Sequence, residues 1–329
     1  MADTMFPVVY SVLASSALIT EVLNQYAIGT VTSCQFWHRG LSDVYLVETA
    51  DRQYVLRVSH AHWRSRSEID FELELLDFLH QRYIPVAYPL RTQTGQLAIA
   101  INALEGQRYA ALFVYAPGNI AVGDLNPTQS FSLGETVAKL HQTAAGFTTQ
   151  AHRQPLTLDY LLHDSFHAIA PFLQQRSADL TYLTDVVEQL HSQLHPFPME
   201  PPLWGICWGD PHSGNVHFTP EQQMTLFDFD QCGYGWRIFE IAKFLQVALH
   251  SGLGAKVREA FISGYQTVAP LLEDELASLQ AFTQVAHIWA WAICLNNTQR
   301  YDYSRLDGSY FQSRIEHLKM LRSPEWQLF

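Results

Sequence analysis

Residues 208–230 carry side chains whose types and spacing could perform phosphoryl transfer. A lone carboxylate, Asp210, is followed five residues later by the amide of Asn215, and the carboxylates of Asp228 and Asp230 come after a short turn. Transfer of a terminal phosphoryl group requires mainly positioning and charge neutralisation, with a metal held by carboxylate and amide oxygens and one carboxylate that receives the acceptor's proton. We therefore predict that Asp210 is the base and that Asn215 and Asp228 hold Mg²⁺.

The residues between these groups predict a β-hairpin that brings two of them together. Asn215 opens the apolar run 216–218, and the polar turn 219–223 leads into a second apolar run, 224–227. Facing residues of an antiparallel pair lie roughly 5 Å apart, so Asn215 is expected almost opposite Asp228. The alternative interpretation is an acidic surface hairpin without a metal.

These residues together resemble the aminoglycoside phosphotransferase and choline kinase-like family, which has the protein-kinase fold and includes homoserine kinases and a stress-response Ser/Thr kinase. The family pattern is roughly His-Gly-Asp, three or four residues, Asn, Asp-Phe-Asp, Gly, and a helix that opens with Asp-Leu-Ala. The matching residues here are Trp208-Gly209-Asp210, Asn215, Asp228-Phe229-Asp230, Gly233, Gly235 and Glu240-Ile241-Ala242. Two positions depart from the pattern, because Trp208 stands where His is usual and Glu240 where Asp is usual.

The resemblance implies an α+β, bilobal protein-kinase-like fold with an antiparallel-sheet N-lobe and a mainly helical C-lobe. The nucleotide-binding lobe would span 1–116 and the catalytic and acceptor-binding lobe 117–329, with a hinge at about 113–118. The cofactors implied are ATP and Mg²⁺.

Three β-rich runs of the N-terminal third, 33–37, 44–48 and 54–58, predict an antiparallel meander. Gly40 lies in the first turn, where a kinase-like fold would place backbone N–H groups over phosphates. An ordinary hairpin turn is an equally good interpretation of a single glycine.

A cation for the nucleotide phosphates is expected on the third strand, and Arg57 is the basic residue there, because no lysine precedes Lys139. Arginine can bind phosphate through two parallel hydrogen bonds, although it is longer than lysine. The resemblance places the carboxylate that orients this cation at Glu72, with Glu68 as the alternative. Both lie in a predicted helix over 67–80.

Ser67 and Asp70 resemble a capping box at the start of that helix.

Residues 111–116 predict an apolar strand that ends at Pro117-Gly118. The resemblance implies that the backbone of Val114, Tyr115 and Ala116 contacts the adenine edge. Residues 133–142 predict the first large helix of the second lobe.

The C-terminal third predicts helices over 236–251, 255–269, 273–299 and 304–321. We assign Glu240 to support the catalytic turn through hydrogen bonds to its backbone and His212 to hydrogen bonding within that turn. Asp230 could assist the metal or orient the acceptor. Several side chains of the last helices could line an acceptor pocket, although aromatic residues at this spacing are more often core: His287, Trp289, Trp291, Asn296 and Arg300.

Composition is compatible with a two-lobed enzyme. The chain has 329 residues, 48% hydrophobic and 16% charged, which is enough to bury two cores. Its net charge of −12 disfavours nucleic acid and anionic membranes as partners.

The four cysteines lack paired metal spacing, which favours a reducing cytoplasm. We interpret the apolar stretch 6–19 as part of the folded protein, because it lacks a basic start and is too short to span a bilayer.

Fifteen histidines also raise the hypothesis of a zinc site. His163 and His167 share one face if the segment is helical, and His191 and His195 repeat this spacing. A histidine-rich chain produces such pairs by chance. A zinc hydrolase is therefore the third hypothesis, after a phosphotransferase and a non-catalytic nucleotide-binding protein.

The sequence thus predicts an ATP-dependent phosphotransferase that acts on a hydroxyl of a small molecule such as an aminoglycoside, choline or a homoserine-like compound. The alternatives are a protein Ser/Thr kinase of the stress-response type, with a protein substrate, and a non-catalytic nucleotide-binding protein. The departures at Arg57 and Trp208 motivate the last alternative.

Overall fold

The structure is a computed structural model that describes residues 6–121, 124–300 and 306–323, without the side chains of 297–300. By internal contacts the chain divides into two compact units. The first contains the chain up to Pro117 together with Phe147–Arg153 and Thr225–Phe227. The second contains Gly118–Gly146, Gln154–Met224 and the chain from Asp228 onward. The division into lobes at 116/117 stays a prediction.

The first unit is built on an antiparallel five-stranded sheet with the order β1-β2-β3-β5-β4. Its strands are β1 (Val31–Arg39), β2 (Ser42–Thr49), β3 (Gln53–Ser59), β4 (Ile99–Ala103) and β5 (Gly106–Val114). The predicted meander is therefore confirmed, and β5 contains most of the apolar strand predicted over 111–116. The alternation of buried and more exposed residues along β3 explains why this segment forms a strand with one face toward the core.

The core of the first unit is completed by short helical turns that precede the sheet. They are α1 (Ser15–Ala17), a π-helical turn (Leu18–Val22) and a 3₁₀ turn (Leu23–Gln25). Leu18, Val22 and Leu23 are buried in the same cluster as Val47 and Leu56 of the sheet. The stretch 6–19 thus contributes to the folded core.

Helix α2 (Arg66–His80) confirms the helix predicted over 67–80, but its N-terminal signal was assigned wrongly. The capping box is formed by Ser65 and Glu68, since the Ser65 side chain accepts from Glu68 N and Glu68 accepts from Ser65 N. The proposed pair of Ser67 and Asp70 was wrong because the helix begins two residues earlier. Asp70 instead accepts from Arg66.

The second unit is mainly helical. Its helices are α3 (Pro127–Ala144), α4 (Ser165–Ile169), α5 (Ser177–Leu194), α6 (Arg237–His250), α7 (Ala255–Val268), α8 (Glu273–Arg300) and α9 (Gly308–Arg322). The four predicted C-terminal helices are confirmed, with ends that differ by a few residues. Helix α3 starts six residues before the predicted 133, because Asn126 and Gln129 form a capping box and Pro127 occupies the first turn.

Short strands frame the predicted catalytic segment. Strand β6 (Trp204–Cys207) pairs antiparallel with β9 (Gly233–Trp236). Between them lie a 3₁₀ turn (Ser213–Asn215) and the strands β7 (Val216–Phe218) and β8 (Met224–Leu226). The predicted hairpin is confirmed, because β7 and β8 form a two-stranded sheet.

The α+β class predicted from the sequence is confirmed by this combination of one antiparallel sheet and many helices. Within the described ranges, we find no helix with both the length and the hydropathy that a bilayer crossing requires.

Candidate functional site

The turn that follows β6 depends on Gly209. Its φ is +92°, a conformation that favours glycine, and a Cβ placed there would lie 2.1 Å from the backbone oxygen of Gln231. Any larger residue would therefore displace the chain just before Asp210.

Glu240 fixes the same turn from the first turn of α6. Its side chain is fully buried and accepts hydrogen bonds from the backbone N–H groups of Trp208 and Gly209, the second at 2.9 Å. His141 Nε2 lies 3.2 Å from the same carboxylate. Burying a carboxylate is unfavourable unless its oxygens are hydrogen-bonded, and these contacts satisfy that requirement. The longer Glu in place of the family's usual Asp thus reaches two backbone donors.

Three side chains surround the carboxylate of Asp210. Lys243 Nζ lies 2.9 Å from Oδ1, while His212 Nε2 and Asn215 Nδ2 each lie 3.4 Å from Oδ2. The Asp210 side chain remains 26% exposed. It is therefore held from several sides and still accessible.

Lys243 was missed by the sequence analysis. Its side chain is only 8% exposed, and its ammonium group makes the shortest ion pair to Asp210. A local signal did exist, because Lys243 follows Glu240 by three residues on one helix, and residues three apart share a helix face. Lys243 lies far from the N-terminal third, where the sequence places the cation for the nucleotide phosphates.

The charge on Lys243 also sets the protonation of Asp210. Burial by itself would raise the pKa of the Asp210 carboxyl, but the Lys243 ammonium and a hydrogen bond from His212 hold this pKa well below its ordinary value. Asp210 is accordingly an anion at neutral pH and can accept a hydrogen bond from a hydroxyl group.

His212 links the turn to Asp210 through its two ring nitrogens. Its Nδ1 accepts a hydrogen bond from Gly214 N at 3.0 Å, so the ring proton sits on Nε2, which faces Asp210 Oδ2. The ring therefore connects the 3₁₀ turn with the carboxylate.

Asn215 is buried and holds the other side of the turn. Its Nδ2 donates to the backbone oxygen of Asp210 at 3.0 Å, and this fixes the amide orientation. Across the part of the chain that the structure describes, its Oδ1 accepts no hydrogen bond. A fixed amide oxygen of this kind suits a hard cation such as Mg²⁺.

Asp228 has a left-handed backbone with φ +57°, which is uncommon for a residue with a side chain and occurs often at functional sites. Trp208 contacts this residue, because its Nε1–H donates to the backbone oxygen of Asp228 at 2.9 Å. The Trp208 ring also stacks on Phe229, with centroids 5.5 Å apart. Trp in place of the usual His thus still provides a hydrogen-bond donor. Asp228 is exposed, whereas Asp230 is buried.

The first unit contains the predicted cation pair. Arg57 Nη2 lies 2.6 Å from Glu72 Oε2, and their side chains are 16% and 1% exposed. Glu68, the alternative carboxylate, instead caps α2 and pairs with Arg64 at 3.3 Å. The second oxygen of Glu72, Oε1, is buried and accepts no hydrogen bond from the described residues. A buried carboxylate oxygen left in this state is unfavourable, so stability alone does not explain this pair.

The other predicted nucleotide contacts lie in the β1–β2 turn and at the end of β5 in the first unit. Gly40 N donates to Ser42 O at 3.0 Å, which closes the β1–β2 turn and occupies this N–H group. Val114 N donates to Tyr88 O at 3.1 Å. The Tyr115 ring stacks loosely on Trp37, with centroids 6.2 Å apart. The proposed contacts of Gly40 with phosphate and of Val114, Tyr115 and Ala116 with adenine remain predictions.

Most of the suggested acceptor-pocket residues belong to the core. Trp289, Trp291 and His287 are 2% exposed or less, and burial lowers the pKa of His287 to about 3. Asn296 is exposed, and the side chain of Arg300 lies outside the described residues. The core interpretation of the aromatic residues is therefore the one that the structure favours.

Comparisons with known proteins show what this chain is similar to. The model of the phosphotransferase enzyme family matches residues 33–282. An uncharacterized protein of Synechocystis sp. is 59% identical to this chain, in an alignment that spans all of this chain and 91% of that protein. A homoserine kinase of Methylobacillus flagellatus is 24% identical over 90% of each chain.

Solved structures give the fold. An amicoumacin kinase in complex with AMP-PNP, Ca²⁺ and Ami superposes with a TM-score of 0.76 at 21% identity, covering 95% of this chain and 94% of that one. The protein-kinase-like fold predicted from the sequence is thereby confirmed.

Proposed function

The chain belongs to the phosphotransferase enzyme family, and from this premise we propose that it transfers the γ-phosphoryl group of Mg-ATP to a hydroxyl of a small molecule, with Asp210 as the base. The observation that carries the proposal is the environment of Asp210. An ionised carboxylate is held by Lys243, His212 and Asn215 and keeps about a quarter of its surface exposed. A carboxylate with a purely structural role has no need of that exposure.

Asp210 would accept a hydrogen bond from the acceptor hydroxyl and receive its proton as the phosphoryl group is transferred. Lys243 would keep the carboxylate oriented and ionised. Its ammonium group would also offset negative charge that develops beside Asp210 during transfer. Glu240 would hold the backbone of the turn in place, which matters because misplacement of a base reduces the rate strongly.

The donor set supports the proposed cofactors. Asn215 and Asp228 offer amide and carboxylate oxygens, which suit Mg²⁺, and Arg57 oriented by Glu72 would bind phosphate oxygens. Bound Mg-ATP would supply the transferable phosphoryl group with part of its charge neutralised. Asp230 would assist the metal or orient the acceptor.

For the acceptor we propose a small amino alcohol of the homoserine type. The support is the series of homoserine kinases among the relatives, between 24% and 26% identical over most of this chain. The net charge of −12 is compatible with a cationic amino group on the acceptor and disfavours nucleic acid. Within the described residues the four cysteines form no disulfide, which supports a cytoplasmic location.

The test is a screen for ADP release from Mg-ATP with hydroxyl-bearing acceptors, beginning with homoserine and other amino alcohols and continuing with choline and aminoglycosides. Asp210→Asn serves as the inactive control, and Asp51→Asn, which changes an exposed carboxylate in a turn of the first unit, serves as the active one. We expect acceptor-dependent ADP release with the native chain and Asp51→Asn only.

Other outcomes would contradict the proposal. Equal ADP release with Asp210→Asn would remove this residue as the base. Transfer of labelled phosphate to added proteins, with no turnover of small acceptors, would favour the protein kinase alternative. Binding of ATP with no turnover across the panel would favour the non-catalytic alternative.

A further inference from the structure

A second group of possible metal ligands lies on the surface of the second unit and takes no part in the site around Asp210. We propose that Asp159, His163 and His191 form a binding site for a divalent transition-metal ion of the zinc class. Neither histidine pair noted in the sequence, His163 with His167 or His191 with His195, forms this site by itself. Instead, His163 joins a residue one turn before it and a histidine on a different helix.

The distances place the three groups within reach of one ion. Each residue offers one ligand atom, and these atoms all lie within 4.8 Å of one another. Ligand bonds of about 2.1 Å in tetrahedral geometry place ligand atoms roughly 3.4 Å apart. Asp159 is exposed, and His163 and His191 are half-buried, so small rotations of the three side chains can close the remaining gap.

The backbones that carry these ligands are well anchored. His163 lies in a π-helical turn, Asp159–Asp164, in which its neighbour Leu162 is fully buried. His191 lies in the last turn of α5 beside the buried Leu190. The two imidazole rings already contact each other edge to face, with centroids 4.8 Å apart. Since π-helical turns are rare and occur often at functional sites, this local geometry agrees with a ligand-binding role.

The three side chains are also chemically available. Apart from ring contacts among the histidines, they make no side-chain hydrogen bond or ion pair with any other described residue. Two imidazole nitrogens and one carboxylate oxygen suit zinc, cobalt and nickel, whereas magnesium prefers oxygen ligands throughout. The remaining positions on the ion would be filled by water.

A second cluster with similar distances shows why availability matters. His141, Cys207 and Glu240 also lie close together. However, Glu240 already accepts from two backbone N–H groups, and His141 Nδ1 contacts the hydroxyl of Tyr265 at 2.8 Å. Burial raises the pKa of the Cys207 thiol, which opposes formation of the thiolate that binds metal. That cluster is built for hydrogen bonding beneath the catalytic turn, and the surface cluster is not.

The experiment uses the full chain without a polyhistidine tag, stripped of metal with a chelator. Zn²⁺ is titrated at neutral pH in competition with a chromophoric chelator, in excess Mg²⁺. We expect one Zn²⁺ per chain and a rise in the unfolding temperature, because an ion that binds only the folded state stabilises it. His163→Ala, His191→Ala and Asp159→Asn should each weaken binding by at least roughly 10- to 100-fold, the range known for loss of a residue that merely supports a ligand.

His167→Ala is the matched control, because His167 is an exposed histidine one helical turn after His163. It should bind Zn²⁺ as the native chain does. Circular dichroism of each metal-free variant checks that folding is intact. Failure to bind one equivalent, unchanged affinity in both His163→Ala and His191→Ala, or equal weakening in His167→Ala would each overturn the proposal.

Discussion

Two carboxylates, one in each compact unit, have similar partners and different uses. Asp43 in β2 lies 2.7 Å from Arg108, and Asp210 lies 2.9 Å from Lys243. The Asp43 side chain is fully buried, whereas 26% of the Asp210 side chain is exposed. A carboxylate beside a cation is therefore not by itself a sign of catalysis, and access from solvent distinguishes the two.

The partners of Asp43 show that its role is structural. The hydroxyl of Tyr10 donates to Asp43, and His60 Nε2 lies 3.5 Å away. Arg108 is fully buried and donates in addition to the backbone oxygens of Ser11 and Ser59, at 2.9 Å and 2.8 Å. The network ties the segment before α1 to strands β2, β3 and β5. No face of Asp43 is left for a substrate.

The largest effect that tests this comparison is the loss of turnover in Asp210→Asn. The amide keeps the shape of the side chain but does not act as a base, so we expect kcat to fall by about 10²- to 10⁴-fold. The unfolding temperature should fall less than in Asp43→Asn, because 26% of the Asp210 side chain is exposed and solvent screens the charge left on Lys243. Turnover is measured as ADP release with the best acceptor from the screen. A fall of less than tenfold would contradict the assignment.

The opposite pattern is expected for Asp43→Asn. Removal of the Asp43 charge leaves Arg108 with only the more distant Glu105 carboxylate, at 3.4 Å, as a counter-charge. Loss of one partner of a buried ion pair lowers the free energy of unfolding by about 3–5 kcal/mol. Urea denaturation of the full chain measures this loss, and Asp51→Asn is the exposed control, for which about 0.5 kcal/mol or less is expected. An equally small effect at both positions would show that the Asp43 network does not hold the sheet together.

The pH dependence of this difference follows from the pKa of Asp43. Burial would raise that pKa, but contacts with His60, Arg108 and Tyr10 outweigh burial and hold it below its ordinary value. The stabilisation is thus present above the unfolded-state pKa of about 3.9 and is lost as the pH falls through the lower folded-state pKa. The stability gap between the native chain and Asp43→Asn should therefore be constant near neutral pH and shrink below about pH 4. A gap that widens in acid would contradict this sign.

Lys243→Met tests the partner that makes Asp210 different from a free carboxylate. Loss of a hydrogen bond to a charged group, about 1.5–3 kcal/mol, corresponds to a fall in kcat of roughly 10- to 100-fold. The KM for ATP should change less, because the contact is to the base. Lys243→Arg keeps the charge and should recover part of the rate.

Lys256→Met is the matched control for this change, since Lys256 is an exposed lysine at the start of α7. It should leave kcat unaltered. Equal impairment of the Arg and Met variants at 243 would indicate a packing role for Lys243 instead of an electrostatic one.

Local patterns explain what could be predicted from the sequence. The meander of β1, β2 and β3 follows from three β-rich runs separated by turn-rich segments, and the hairpin of β7 and β8 follows from two apolar runs around a polar turn. The pair of Arg57 and Glu72 was proposed from a family resemblance, and the structure places these two side chains 2.6 Å apart. Such features need only short windows of sequence or a known pattern.

Two of the missed contacts join residues that are distant in the chain. Asp43 and Arg108 are 65 positions apart, and no periodicity links them. Lys243 lies 33 positions after Asp210, and only the register of α6 brings it to the base. The capping box of α2 was misplaced because Ser65 and Ser67 both offer a plausible cap two residues apart. Long-range packing thus determines which charges surround Asp210, while local sequence patterns determine the strands and helices that carry the site.

The smallest effect on turnover is expected for Trp208→Phe. This change tests what Trp208 contributes to the site at a position where the family usually has His. Phenylalanine keeps an aromatic ring against Phe229 but removes the Nε1–H that donates to Asp228 O at 2.9 Å. A lost hydrogen bond of this kind is worth about 1 kcal/mol, which corresponds to roughly a fivefold change in an equilibrium. Because the bond holds the backbone of a proposed metal ligand, the change should appear as a higher Mg²⁺ requirement for turnover. A lower unfolding temperature with an unchanged Mg²⁺ requirement would instead give Trp208 the same kind of role as Asp43.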